Sequence, residues 1–258
     1  MDIQHLKIKE IENLYKNTPI EHLACFLENM KRDTRSGVKK LYEKGKKELK
    51  QLETLKLEWE QKELFDASFK EGQQVLVGVD EVGRGPLAGP VVACAVVLPT
   101  QCELLGVKDS KKLTEEKRES LYEDIMTKAL YVGIGVVEAE EIDHINILQA
   151  TFKAMRMALE KIPAPYDKVL VDGDKTIPNV NIKQHAIIQG DNKSASIAAA
   201  SIVAKVTRDR MMKEYARVYP GYDWENNKGY GSTKHYEGVK QQGITVLHRK
   251  TFLKKGNF

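Results

Sequence analysis

Gly78-Val79-Asp80-Glu81-Val82-Gly83-Arg84-Gly85-Pro86-Leu87-Ala88-Gly89-Pro90 is the stretch that decides how this chain is read. Two adjacent carboxylates follow the hydrophobic run Val75-Leu76-Val77, and a second apolar run occupies residues 91–98. Between them lies a tight loop with an arginine between two glycines. Carboxylates at a strand end suit hard divalent cations, which take oxygen ligands. Glycine admits close backbone approach, and arginine grips phosphate through paired N–H donors. Metal, phosphate and close approach together point to phosphodiester chemistry. Taken alone, an Asp-Glu pair before a glycine turn is a solvated hairpin corner. A dinucleotide loop fits poorly: Pro86 removes a backbone N–H, and a strand-like run follows where a helix N-terminus is needed. No Walker A sequence is present.

Composition bounds the alternatives. A chain of 258 residues makes one large domain, or one domain with an appendage. Its 41% hydrophobic content supports a packed core, while its apolar runs are too short to span a bilayer. No apolar signal segment opens the sequence, so a cytoplasmic protein without membrane attachment is expected. Cys25, Cys94 and Cys102 are odd in number and form no Cys-x-x-Cys pair, which fits a reducing compartment better than disulfides or zinc. A net charge of +4 and a pI near 8.7 permit a nucleic-acid partner without requiring one. A monomer is expected.

The chain changes character near residue 71. Before it, apolar residues are sparse among charges, and Leu49, Leu52, Leu55 and Trp59 recur at roughly helical spacing. Asp33-Thr34-Arg35-Ser36 offers capping chemistry ahead of Val38 and Leu41. Residues 1–71 are therefore read as an N-terminal helical extension of two or more helices, packing on the main body rather than forming a sustained coiled coil. Its lysines are nearly matched by acids, which describes a solvated face more than a nucleic-acid arm. Residues 72–258 read as a mixed α/β domain. Strands are expected near 74–81, 90–98, 131–138, 167–172 and 183–188, the first two as an antiparallel hairpin. Helices are expected at 114–129, 140–161 and 194–218. Thr114-Glu115-Glu116-Lys117 resembles a capping box. The last helix opens with small residues that let it lie close to a sheet.

Two further carboxylates matter. Asp172 ends the run Lys168-Val169-Leu170-Val171, with Asp174 as a rival, and Asp191 stands at the mouth of the small-residue helix. As bland roles, Asp172 is a strand-end turn residue and Asp191 a helix N-cap. If the strands lie side by side, both reach the end of the hairpin that holds Asp80 and Glu81. Convergent carboxylates repel unless cations lie between them, and magnesium suits such an open oxygen site.

The chain resembles the bacterial type 2 ribonucleases H (ribonuclease HII). The matching stretches are residues 78–90, Asp109-Ser110-Lys111-Lys112-Leu113, Val171-Asp172-Gly173, Gly190-Asp191, residues 197–209, Lys228-Gly229-Tyr230-Gly231 and His248-Arg249-Lys250-Thr251-Phe252. Each is weak alone; their ordered set from 72 to 253 is specific. The resemblance implies a ribonuclease H-like α/β fold, a central mixed sheet flanked by helices. It implies an endonuclease that cleaves the RNA strand of RNA–DNA hybrids and nicks duplex DNA at embedded ribonucleotides, with magnesium or manganese. Asp80, Glu81, Asp172 and Asp191 become the catalytic, metal-binding set. Gly83, Arg84 and Gly85 become the reader of the ribose 2′-hydroxyl, the group that separates RNA from DNA. Tyr230 matches the tyrosine that packs on the neighbouring sugar, although an ordinary surface aromatic explains it equally. Lys111 and Lys112 become phosphate contacts, against the bland reading of solvated lysines. The sister family, ribonuclease HIII, lacks the loop arginine, so Arg84 favours type 2.

Two departures stand out. The family commonly continues Gly-Tyr-Gly-Thr-Lys, whereas this chain has Gly229-Tyr230-Gly231-Ser232-Thr233-Lys234, and Asp174 adds a nearby acid. The implied mechanism is in-line displacement, one metal activating water and the other stabilising the leaving 3′-oxygen. Products carry a 3′-hydroxyl and a 5′-phosphate, with the cut on the 5′ side of the ribonucleotide. The histidines show no metal spacing; His248 and Arg249 suit nucleic-acid binding, the core or the surface equally. The competing classes are a non-catalytic hybrid-binding module and a resolvase- or integrase-like metal nuclease. A chain beginning near Glu71 is expected to keep its chemistry.

Overall fold

Valine-rich runs build a five-stranded sheet in a computed structural model that describes residues 3–107 and 113–253. The strands are β1 (Leu76–Val82), β2 (Val91–Val97), β3 (Tyr131–Val137), β4 (Lys168–Asp172) and β5 (Lys183–Ile187), in the order β3-β2-β1-β4-β5. β1 and β2 form the expected antiparallel hairpin, and β3 extends it antiparallel. β4 and β5 add in parallel on the other side of β1. The sheet is thus mixed, and β1 lies at its centre.

The helices are α1 (Ile8–Asn17), α2 (Ile20–Met30), α3 (Ser36–Ala67), α4 (Glu115–Lys128), α5 (Ala139–Ile145), α6 (Ile147–Glu160), α7 (Gly190–Lys193), α8 (Ala195–Val218), α9 (Trp224–Asn227), α10 (Thr233–Gln242) and α11 (Lys250–Leu253). Thr114 caps α4 by accepting from the Lys117 N–H, so half of the expected capping box forms; lysine at the third position supplies no reciprocal acid. The helix expected over 140–161 is two helices. Asn146 takes φ +64° between them, and its side chain caps α6 through the N–H groups of Leu148 and Gln149.

Strand alternation sorts the two faces of the sheet. Val77 and Val79 share a core with Ala154, Met155 and Ala158 of α6. Gly78 faces the opposite way, against α8. A Cβ at Gly78 would stand 2.2 Å from the Ser196 carbonyl carbon, so only glycine lets α8 lie this close. The small residues Ala198, Ala199 and Ala200 are fully buried beside it, as the composition of this helix implied.

The chain divides into two compact units, Met1–Glu60 and Gln61–Phe258. In the first, Ile11, Tyr15, Leu23, Phe26, Leu27, Met30 and Val38 form a small core. The second holds the sheet and also the last two turns of α3. Phe65 and Phe69 pack on Leu76, Leu170 and Ile197, and the Lys168 ammonium holds the Phe69 carbonyl at 2.7 Å. Among the described residues no helix is long and apolar enough to cross a membrane.

Candidate active site

The parallel pairing of β1 and β4 sets Val79 opposite Val171, so the next residues along, Asp80 and Asp172, are neighbours on the α8 face. Asp80 is only 6% exposed. Its Oδ1 accepts the Glu81 N–H at 2.7 Å, and Ser201 of α8 donates to it. Burial, followed by the charges of Glu81 and Asp172, pushes the Asp80 carboxyl well above the usual range. Burial likewise raises Glu81, against the Arg84 guanidinium, which lies 3.2 Å from Glu81 Oε1. Asp172 Oδ1 accepts the Gly190 N–H at 2.7 Å, which brings the neighbouring Asp191 to the same end of the sheet. Asp191 sits in the single turn α7, and Asn192 donates to its Oδ1 at 3.0 Å. The cap of α8 is Ser194, not Asp191. Asp174, the alternative to Asp172, is exposed and paired with Lys175.

Asp80, Glu81 and Asp172 thus share one sheet end, and Asp191 follows the Gly190 that Asp172 holds. Among the described residues no three His, Cys, Asp or Glu side chains are already gathered in metal-holding geometry. The donor set nevertheless fits hard divalent cations: it is all oxygen, the charges of Glu81 and Asp172 oppose ionisation of Asp80, and that of Asp172 opposes ionisation of Glu81.

The loop after β1 is held from below by two arginines that sequence reasoning did not assign. Arg208 of α8 and Arg249 are both fully buried. Arg249 donates to the carbonyls of Gly83 at 2.6 Å, Arg84 at 3.1 Å and Gly89 at 2.8 Å. Arg208 donates to Pro90 at 2.9 Å, Lys228 at 2.9 Å and Ala88 at 3.2 Å. Burial lowers Arg208 to about 10 and Arg249 to about 9, yet both stay charged at neutral pH. Gly83 turns at φ +92°, and a Cβ there would meet the Arg208 Nε at 2.3 Å. Arg84 keeps its own side chain 53% exposed. Only the motif position of Arg249 had marked it for attention; its burial rules out the surface role.

Tyr230 joins this loop through the backbone. The Gly229 carbonyl accepts from Leu87 and Ala88, at 2.8 and 3.3 Å. The Tyr230 ring is 45% exposed, and its Cε1 lies 3.6 Å from where a Gly85 Cβ would be. Beneath it runs a buried relay. The Thr245 N–H donates to His248 Nδ1 at 2.9 Å, so His248 carries its proton on Nε2. That proton and the Trp224 indole N–H both point at His235 Nε2, each at 3.1 Å. His235 is therefore protonated on Nδ1, which donates to the Tyr230 carbonyl at 2.9 Å. Lys111 and Lys112 lie outside the described residues.

A mixed sheet flanked by helices, with carboxylates at the ends of adjacent inner strands, defines a ribonuclease H-like enzyme. A sequence model of ribonuclease HII matches residues 77–255, and one of the ribonuclease HII N-terminal domain matches residues 7–70. The ribonuclease HII of Bacillus subtilis (strain 168) is 50% identical over 228 residues, covering 88% of this chain and 89% of that protein. That of Clostridioides difficile (strain 630) is 44% identical over 253 residues, covering 98% and 99%. The crystal structure of ribonuclease H2 from Pyrococcus horikoshii OT3 superposes with a TM-score of 0.60 at 30% identity, over 70% of this chain and 96% of that one. The chain belongs to the ribonuclease HII family.

Proposed function

We propose that this enzyme cleaves the RNA strand of RNA–DNA hybrids and nicks duplex DNA on the 5′ side of embedded ribonucleotides, leaving 3′-hydroxyl and 5′-phosphate ends. The observation that carries the reading is the buried Asp80 carboxylate, set against the charges of Glu81 and Asp172 and next to a glycine loop beside an exposed tyrosine. Asp80, Glu81, Asp172 and Asp191 hold the divalent cations, magnesium or manganese. Bound there, the cations supply the charge that activates water and stabilises the leaving oxygen.

The remaining work belongs to the chain itself. Arg208 and Arg249 tie up the loop carbonyls and fix the backbone of Gly83, Arg84 and Gly85, which meets the ribose 2′-hydroxyl without a Cβ in the way. Tyr230 presents its exposed ring beside Gly85, where it packs on the adjoining sugar. Arg84 screens Glu81 and leaves most of its guanidinium free for the phosphate backbone. Lys111 and Lys112 add phosphate contacts.

The test is cleavage of three duplexes, with and without magnesium: all-DNA, one embedded ribonucleotide, and a long hybrid. The reading expects magnesium-dependent cutting of the second and third only. Cleavage of all three at similar rates supports a general metal nuclease instead, and binding without cleavage supports a hybrid-binding module.

A further inference from the structure

We propose that Lys62 and Asp66, on the last two turns of α3, are positioning residues for Asp191. The sequence places no site residue before residue 72, so this assigns part of the N-terminal family segment to the catalytic scaffold. Lys62 and Asp66 are one helical turn apart and share a face of α3. Both are buried, at 6% and 8% exposure. The Lys62 ammonium donates to the main-chain carbonyl of Asp191 at 2.9 Å. The Asp66 Oδ2 accepts the Ser196 N–H at 2.8 Å. One helix face therefore grips both ends of the segment that carries Asp191.

That segment has little regular structure of its own. Gln189 turns it with φ +56°, and α7 is four residues long. On the sheet side it is held by Gly190 N–H to Asp172. On the other side the holds are Lys62 and Asp66. The end of α3 is in turn fixed: just beyond it Phe69 packs edge-on against His185 of β5 at 4.9 Å, and within it Glu63 accepts the Cys102 N–H at 2.9 Å. Interior lysines are rare unless strongly partnered. An ammonium here also places positive charge beside a carboxylate that must face others. Groups that orient ligands from behind typically contribute about 10–100-fold to metal affinity or activity.

This inference rests on the reading of Asp191 as a ligand, and the test separates the two. In the full chain, Lys62→Met removes the donor and keeps the length, while Lys62→Arg keeps a donor. The expectation for Lys62→Met is a kcat about tenfold lower, with KM for a single-ribonucleotide duplex little changed and a higher magnesium requirement. Without metal or substrate, backbone amides of residues 190–194 should exchange hydrogen about tenfold faster than in the parent protein. Lys62→Arg should recover most of each change. If Lys62→Met unfolds at the assay temperature, Asp66→Ala carries the same readouts, since it releases the other end of the segment. Unchanged kcat, magnesium requirement and exchange in a folded variant overturn the proposal. Asp191→Asn is the reference: if it stays fully active the ligand reading fails, whereas an inactive Asp191→Asn beside a normal Lys62→Met removes only the positioning role.

Discussion

Asp80 carries a carboxylate into the interior, between the charges of Glu81 and Asp172. Its raised folded-state pKa means that at neutral pH, without cations, ionised Asp80 works against folding. Asp80→Asn keeps the shape and removes that charge. Its metal-free melting temperature at pH 7 should rise, by the equivalent of about 1–2 kcal/mol, and a lower value would show that the carboxylate is satisfied by the protein alone. The buried arginines should behave oppositely. Arg249→Met strips charged hydrogen bonds from the carbonyls of Gly83, Arg84 and Gly89. Denaturant unfolding should report a loss on the order of 3 kcal/mol; a neutral result would mean that the loop carbonyls find water. His248 titrates in the other direction from Asp80. Burial and then the His235 ring lower it to about 4. Its contribution is fully present above the unfolded value of about 6.5 and is lost as pH falls toward 4. Stability measured between pH 6.5 and 4.5 should fall less steeply in His248→Gln than in the parent; parallel curves would exclude the relay as the source.

Among elements, the close seating of α8 on β1 decides where Asp80 stands. A Cβ at Gly78 overlaps the Ser196 backbone, and backbone cannot swing away as a side chain can. Gly78→Ala should cost about 2–3 kcal/mol and depress cleavage by shifting Ser201 from Asp80, with thermal melting and kcat as the checks. All five strands of the sheet were legible in sequence; β1 to β4 are alternating or continuous apolar runs bounded by glycine, proline or charge, which have few other readings, whereas β5 is mostly polar. The break at Asn146 was not legible, since both flanks carry one helical pattern and only a positive φ divides them. The short helices α7, α9 and α11 escaped for a related reason: each is a single turn, fixed by tertiary hydrogen bonds rather than by periodicity.

For the whole molecule, the proposed carboxylates Asp80, Glu81 and Asp172 drew attention in the sequence because acids at strand ends stand out against apolar runs. The groups that hold the Asp191 segment and the glycine loop did not stand out. Lys62, Arg208 and Arg249 are charged, and charge in sequence reads as surface; only the assembled fold surrounds them with carbonyls. The same fact revises the expectation for truncation. A chain beginning at Glu71 keeps every proposed ligand but lacks Lys62 and Asp66, whereas one beginning at Gln61 keeps both. Single-turnover cleavage should fall sharply in the shorter chain and survive in the longer; equal activity would make the extension dispensable to catalysis. The most direct test of the carboxylate site is Asp80→Asn with a duplex carrying one ribonucleotide, in saturating magnesium, with binding measured alongside cutting. The predicted result is near-complete loss of the nick with duplex binding largely retained. A variant that still nicks at the parental rate would contradict the site.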